Sequence, residues 1–150
     1  FRMNDIQSAL GISQLTELNT FLKSRNKIAK FYIDNLKNLP IEFQKIDKSF
    51  YSSYHLFIIK LENRYEYLYK KFFTHLRSKK IFVNLHYLPI HLHPFYRKLG
   101  FKPGQFPVSE RYSKTAISIP VYPNLNKKNQ IKVINIIKLF FLKNILNEKK

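Results

Sequence analysis

The chain has no cysteine, three glycines and only nine acidic residues in 150. Without cysteine there is no disulfide framework and no thiolate metal site, and a reducing compartment fits by default. Three glycines, at 11, 100 and 104 and in no phosphate-loop pattern, exclude a glycine-rich phosphate loop. Nine acids spread along the chain argue against paired-carboxylate chemistry. No H-E-x-x-H spacing and no G-x-S-x-G elbow occur. Long apolar runs are lacking too. The longest stretch, residues 133–146, is broken by Asn135, Lys138, Lys143 and Asn144, whereas a membrane span needs roughly 20 mostly apolar residues. The opening FRMNDIQSAL lacks a basic leader followed by an apolar run, so no signal peptide is predicted.

What is present is a core-forming composition, 45% apolar and 16% aromatic, enough for one domain and too much for wholesale disorder. The net charge of +18 raises a nucleic-acid or anionic-membrane reading. Lysine outnumbers arginine 21 to 6 and is spread over the whole chain. Phosphate readers lean on arginine. Coding bias toward Lys, Asn and Ile is therefore the preferred explanation. A non-enzymatic basic module remains the rival, and a steep salt dependence of binding would distinguish it.

Asn4 followed by Gln7 predicts a capping box, and helical spacing from Ile6 to Leu36 predicts a helix of roughly 50 Å ending before Pro40. A helix that long commonly bridges two structural units. Strands are predicted at 53–61, 81–85 and 116–119, the last stopped by Pro120. Helices are predicted at 65–78, 106–114 and 127–145, with a turn of helix at 94–99 closed by Gly100. Asn126 is the expected cap of the last helix, and the lysine-rich tail is expected to fray. About three short strands with flanking helices make a small α+β layer.

Residues 81–97, IFVNLHYLPIHLHPFYR, hold three of the five histidines, two prolines and two tyrosines. The segment opens as a strand and leaves regular structure at Leu88 and Pro89. Histidine and tyrosine leaving a sheet edge on a proline-fixed loop are well placed to touch a ligand. Zinc ranks below ordinary loop and surface histidines, because carboxylates are few and ligand spacing is absent. His55 reads as a half-buried strand histidine. Arg2, just before a helix start, suits an anionic ligand.

Four ordered motifs carry a resemblance. FRMNDIQSALGISQL resembles N-Y-R-M-x-D-I-Q-A-A-L-G-x-x-Q-L. SYHLFIIKL resembles a W/Y-H-L-Y strand. VNLHYLPIHLHPFYRKLGF resembles V-x-H-Y-x-P-x-H-x-x-P-Y-Y. FPVSERYSKTAISIPVYPNLN resembles F-P-x-A-E followed by I-S-L-P-x-Y-P-x-L. Together these resemble the DegT/DnrJ/EryC1/StrS sugar aminotransferases over nearly the whole chain. The resemblance implies part of a fold-type I, pyridoxal 5'-phosphate-dependent aminotransferase, with a long connecting helix over 1–39 and a small C-terminal domain over 40–150. Within the family, HYLPIHLHPFYRKLGF and FPVSERY look most like members that aminate C4 of a UDP-linked 4-keto-6-deoxy-N-acetylhexosamine with L-glutamate, in pseudaminic acid synthesis.

By the same resemblance the upstream domain that holds most of the cofactor, including the Schiff-base lysine, is expected to be missing. The chain is then a C-terminal fragment, inactive alone, of a cytoplasmic homodimer without nucleic-acid or membrane partners. Carried over by position, Arg2, His86, Tyr87, Leu88, Pro89 and His91 become the expected substrate-binding residues, with no catalytic, cofactor or metal residues of the chain's own. Departures are Lys80 where glycine is usual, which is expected to strain the turn, His93 for glutamine, and Ser109 for alanine.

Overall fold

Asn4 opens the first element as its sequence implies. Its side chain accepts the Gln7 N–H at 2.9 Å, and the Gln7 side chain accepts the Asn4 N–H at 3.1 Å. The computed structural model describes residues 2–47 and 49–145. Helix α1 runs Asp5–Leu36, 32 residues, or about 48 Å at 1.5 Å per residue. Only its last turns enter the core, through Ile28, Ala29, Tyr32 and Leu36. The apolar residues of its first half stay in solvent, Ile6 at 82% exposed and Leu10, Ile12 and Leu15 similarly open. The helical spacing is real there, but nothing in the described chain covers it.

Four strands form one antiparallel sheet in the order β1-β2-β4-β3: β1 Ile41–Phe43, β2 Phe57–Leu61, β3 Asn84–Leu85 and β4 Ala116–Ile119. Strand β2 pairs β4 with Ile59 opposite Ile117, and β3 pairs β4 with Asn84 opposite Ser118. Phe57, Ile59 and Leu61 alternate into the core. On the other face Lys60 meets its register partner Glu42 at 2.9 Å.

Helix α2, Tyr69–Ser78, follows a 3-10 segment at Asn63–Leu68. It packs on α5, Lys127–Ile145, through Phe72, whose ring lies 4.9 Å from Phe140 and 5.3 Å from Phe141. Tyr32 donates to the Pro120 carbonyl at 3.0 Å and Tyr69 to that of Ala116 at 2.9 Å. Burial raises both phenols, Tyr69 to about 12. Among the described residues no helix is long and apolar enough to cross a membrane.

The α+β class holds, with corrections. A fourth strand, β1, was not predicted, because three residues after Pro40 give no readable alternation. The strand expected at 53–61 begins only at Phe57, since Tyr54 takes a left-handed φ of 43° that breaks extended pairing. His55 is thus an exposed residue before the strand rather than a half-buried one within it. The strand expected at 81–85 pairs only at Asn84 and Leu85. Asn126 does cap α5, accepting the Asn129 N–H at 2.9 Å. The tail expected to fray lies outside the described residues.

Two helix ends are closed in the same way. After α2, the Ile81 N–H reaches the Leu76 carbonyl and the Lys80 N–H that of Arg77, both at 3.0 Å. After α3, Pro94–Lys98, the Phe101 N–H reaches Tyr96 at 3.3 Å and the Gly100 N–H reaches Arg97 at 3.1 Å. Both are Schellman closures, which need a left-handed residue. Gly100 supplies it at φ 97°; Lys80 supplies it at φ 59° with a side chain attached.

Candidate functional site

Strand β3 delivers the segment 86–91. His86, one residue beyond the strand, is 4% exposed, and its ring meets Tyr87 edge-on at 4.9 Å. Its Nε2 is buried and has no hydrogen-bond partner among the described residues. Burial lowers its pKa, which favours the neutral imidazole. An unpaired buried nitrogen costs about 1–3 kcal/mol, so a partner brought from outside would be well received. Tyr87 is 72% exposed and Leu88 is exposed beside it, while Pro89 is buried and turns the chain into a short 3-10 turn, Ile90–Leu92.

His91 is 7% exposed, and its Nε2 lies 2.9 Å from Glu110 Oε1. The same oxygen accepts the Gly104 N–H at 2.7 Å and the Phe106 N–H at 3.4 Å. The Phe106 ring covers the imidazole at 4.7 Å. Glu110 belongs to α4, Pro107–Ser113. The hydrogen bond from His91 is the main reason its carboxyl is held below the ordinary carboxylate value. His93 Nε2 and the Leu88 carbonyl, 3.2 Å apart, close the loop on itself. Among the described residues α3 and α4 bury no side chain, and the Glu110–His91 contact ties α4 to the 86–91 loop.

The structure therefore brings His86, Tyr87, Leu88, Pro89 and His91 together on one loop. Arg2 is not brought to them. It is exposed, three residues before the first residue of α1, and no hydrogen bond, ion pair or ring contact ties it to the loop. It makes no hydrogen bond or ion pair among the described residues. Glu110 was missed as a holder of His91. Its only signal was its place in the FPVSERY motif, 19 residues away.

The family model of the DegT/DnrJ/EryC1/StrS aminotransferases matches residues 1–138. The chain belongs to that family. Among curated relatives it is 36% identical to the uncharacterized protein MJ1066 of Methanocaldococcus jannaschii, over 92% of this chain and 36% of that protein. It is 32% identical to the UDP-4-amino-4,6-dideoxy-N-acetyl-beta-L-altrosamine transaminase of Helicobacter pylori, over 84% of this chain and 34% of that enzyme. Among solved structures, Helicobacter pylori PseC, an aminotransferase involved in the biosynthesis of pseudoaminic acid, superposes with a TM-score of 0.83 at 28% identity, over 95% of this chain and 38% of PseC. The chain thus spans little more than a third of the relatives it matches.

Aminotransferases of this family are pyridoxal-phosphate enzymes. The residues described here do not by themselves fit that group. No described lysine is buried. The cleft lined by Lys80 and Lys132 carries no carboxylate to face a pyridine nitrogen.

Proposed function

We propose that this chain is the connecting helix (1–39) and small C-terminal domain (40–150) of a nucleotide-sugar aminotransferase. The whole enzyme would aminate C4 of a UDP-4-keto-6-deoxy-N-acetylhexosamine with L-glutamate, in pseudaminic acid or a related surface glycan. The pyridoxal phosphate is held mainly by the rest of a longer protein, a cytoplasmic homodimer, and residues 1–150 alone are inactive.

The observation that carries this reading is the loop itself. An otherwise satisfied turn presents a buried, unpartnered His86 Nε2 beside an exposed Tyr87. His86 stays neutral and offers one directional hydrogen bond; Tyr87 stacks or hydrogen-bonds; Leu88 and Pro89 set the angle of both. His91, pinned through Nε2 by Glu110, fixes where the turn stands. Arg2, exposed just before α1, would pair with the anionic diphosphate, and His86 and Tyr87 would reach the nucleotide-sugar across the dimer. The bare apolar face of the first half of α1 supports the two-domain reading, since such a face is normally covered.

The test joins residues 1–150 to the segment encoded in frame before Phe1. In that protein His86→Ala should raise KM for the nucleotide sugar by about 5- to 150-fold, as for loss of a 1–3 kcal/mol contact. An unchanged KM would reject the assignment of His86.

A further inference from the structure

A concave site lies at the other end of the sheet from the 86–91 loop. In the β3–β4 register Asn84 faces Ser118 and Leu85 faces Ile117, so His86 leaves past the start of β4. Where β4 ends, at Ile119 and Pro120, a cleft of about 430 Å³ opens toward the first turns of α5. That volume is within the range of small-molecule sites, roughly 300–1,000 Å³. None of the loop residues 86–91 lines it.

Lys80, Lys132, His55, Asn84 and Asn129 line the cleft, and no carboxylate does. Ser118 also lines it, is 6% exposed, and its hydroxyl has no hydrogen-bond partner among the described residues. The rest of the wall is apolar, including the exposed rings of Phe82 and Tyr122. Lys80 is also the residue with the left-handed φ of 59°, where a side chain is disfavoured. Strained residues tend to persist where function keeps them. Here the strained residue adds a cation to a cleft that already holds one.

We propose that this cleft binds a small organic anion, a phosphate or carboxylate head on an apolar body. The head pairs with Lys80 and Lys132 and takes donors from Ser118 and Asn129. The body lies against Phe82 and Tyr122. This site is separate from the 86–91 loop and does not depend on the function proposed for that loop.

The test is a titration of the 150-residue chain, followed by amide chemical shifts, with phenyl phosphate, benzoate and inorganic phosphate. Phenyl phosphate or benzoate should saturate with shifts centred on residues 80–84, 118–122 and 129–132; the stronger of the two identifies the head group. Lys80→Gly and Lys132→Ala should each weaken binding on the order of tenfold, the loss of one charge-assisted contact. Lys80→Gly is a safe variant, because glycine is favoured at that backbone angle. Tyr87→Ala should leave binding unchanged. Inorganic phosphate binding as tightly as phenyl phosphate, shifts scattered over the lysines at large, or binding insensitive to both lysine substitutions would overturn the proposal.

Discussion

Replacing Lys80 with glycine should make the chain more stable. Lys80 holds φ at 59° to close the Schellman end of α2, through its own N–H to Arg77 and that of Ile81 to Leu76. A left-handed conformation costs an L-residue roughly 1–2 kcal/mol. Glycine removes that cost but gives the unfolded chain more freedom, which returns about 0.4–1 kcal/mol. The net gain is about 0.5–1 kcal/mol. In a chain of this length that is a rise in Tm of roughly 2–4 °C at the upper end. Urea unfolding should show a higher midpoint with an unchanged slope. Lys80→Ala keeps the strain and should gain nothing. Gly100→Ala is the reciprocal case. A Cβ there meets no atom within 4 Å, so its loss of about 1 kcal/mol would be conformational alone. A Lys80→Gly chain with an equal or lower midpoint would refute the argument.

Phe72→Ala should cost about 3–5 kcal/mol in urea unfolding, since its fully buried ring joins α2 to both phenylalanines of α5. Asn126→Ala should cost about 1 kcal/mol through loss of the α5 cap, read in the same assay. Glu110→Gln should speed hydrogen exchange at the Gly104 and Phe106 amides, which its carboxylate now accepts. Acid should weaken the fold in two stages. Below the ordinary histidine value of about 6.5 the unfolded chain takes up protons that buried His86 and half-buried His75, both depressed, refuse, so stability falls as pH drops. Further down, the Glu110 contribution, present above the ordinary carboxylate range, is lost as pH passes its lowered value. A urea midpoint flat from neutral pH to that range would contradict both.

Helix ends were the most legible part of the sequence, because caps act over three or four residues. Asn4 with Gln7, Asn126, and Gly100 all stand where their chemistry indicates. Strands were less legible. Residues 81–83 have the right residue types, and Ile81 and Val83 are buried, yet pairing begins only at Asn84, because a ladder depends on a partner that local sequence does not reveal. The 86–91 loop was readable because it is contiguous. The Glu110 clamp on His91 and the Lys80–Lys132 cleft were not, as each joins residues brought close only by the sheet and the packing of α5. Arg2 shows the complementary limit: it was grouped with the loop by resemblance, and no described contact joins the two.

The central proposal is that these residues work only as part of a longer nucleotide-sugar aminotransferase. The direct measurement is transamination of a UDP-4-keto-6-deoxy-N-acetylhexosamine by glutamate with added pyridoxal phosphate, comparing residues 1–150 with the protein extended through the in-frame sequence before Phe1. The account predicts no turnover from the first and turnover from the second. Turnover by residues 1–150 alone, or none from the extended protein with any nucleotide keto-sugar, would contradict it.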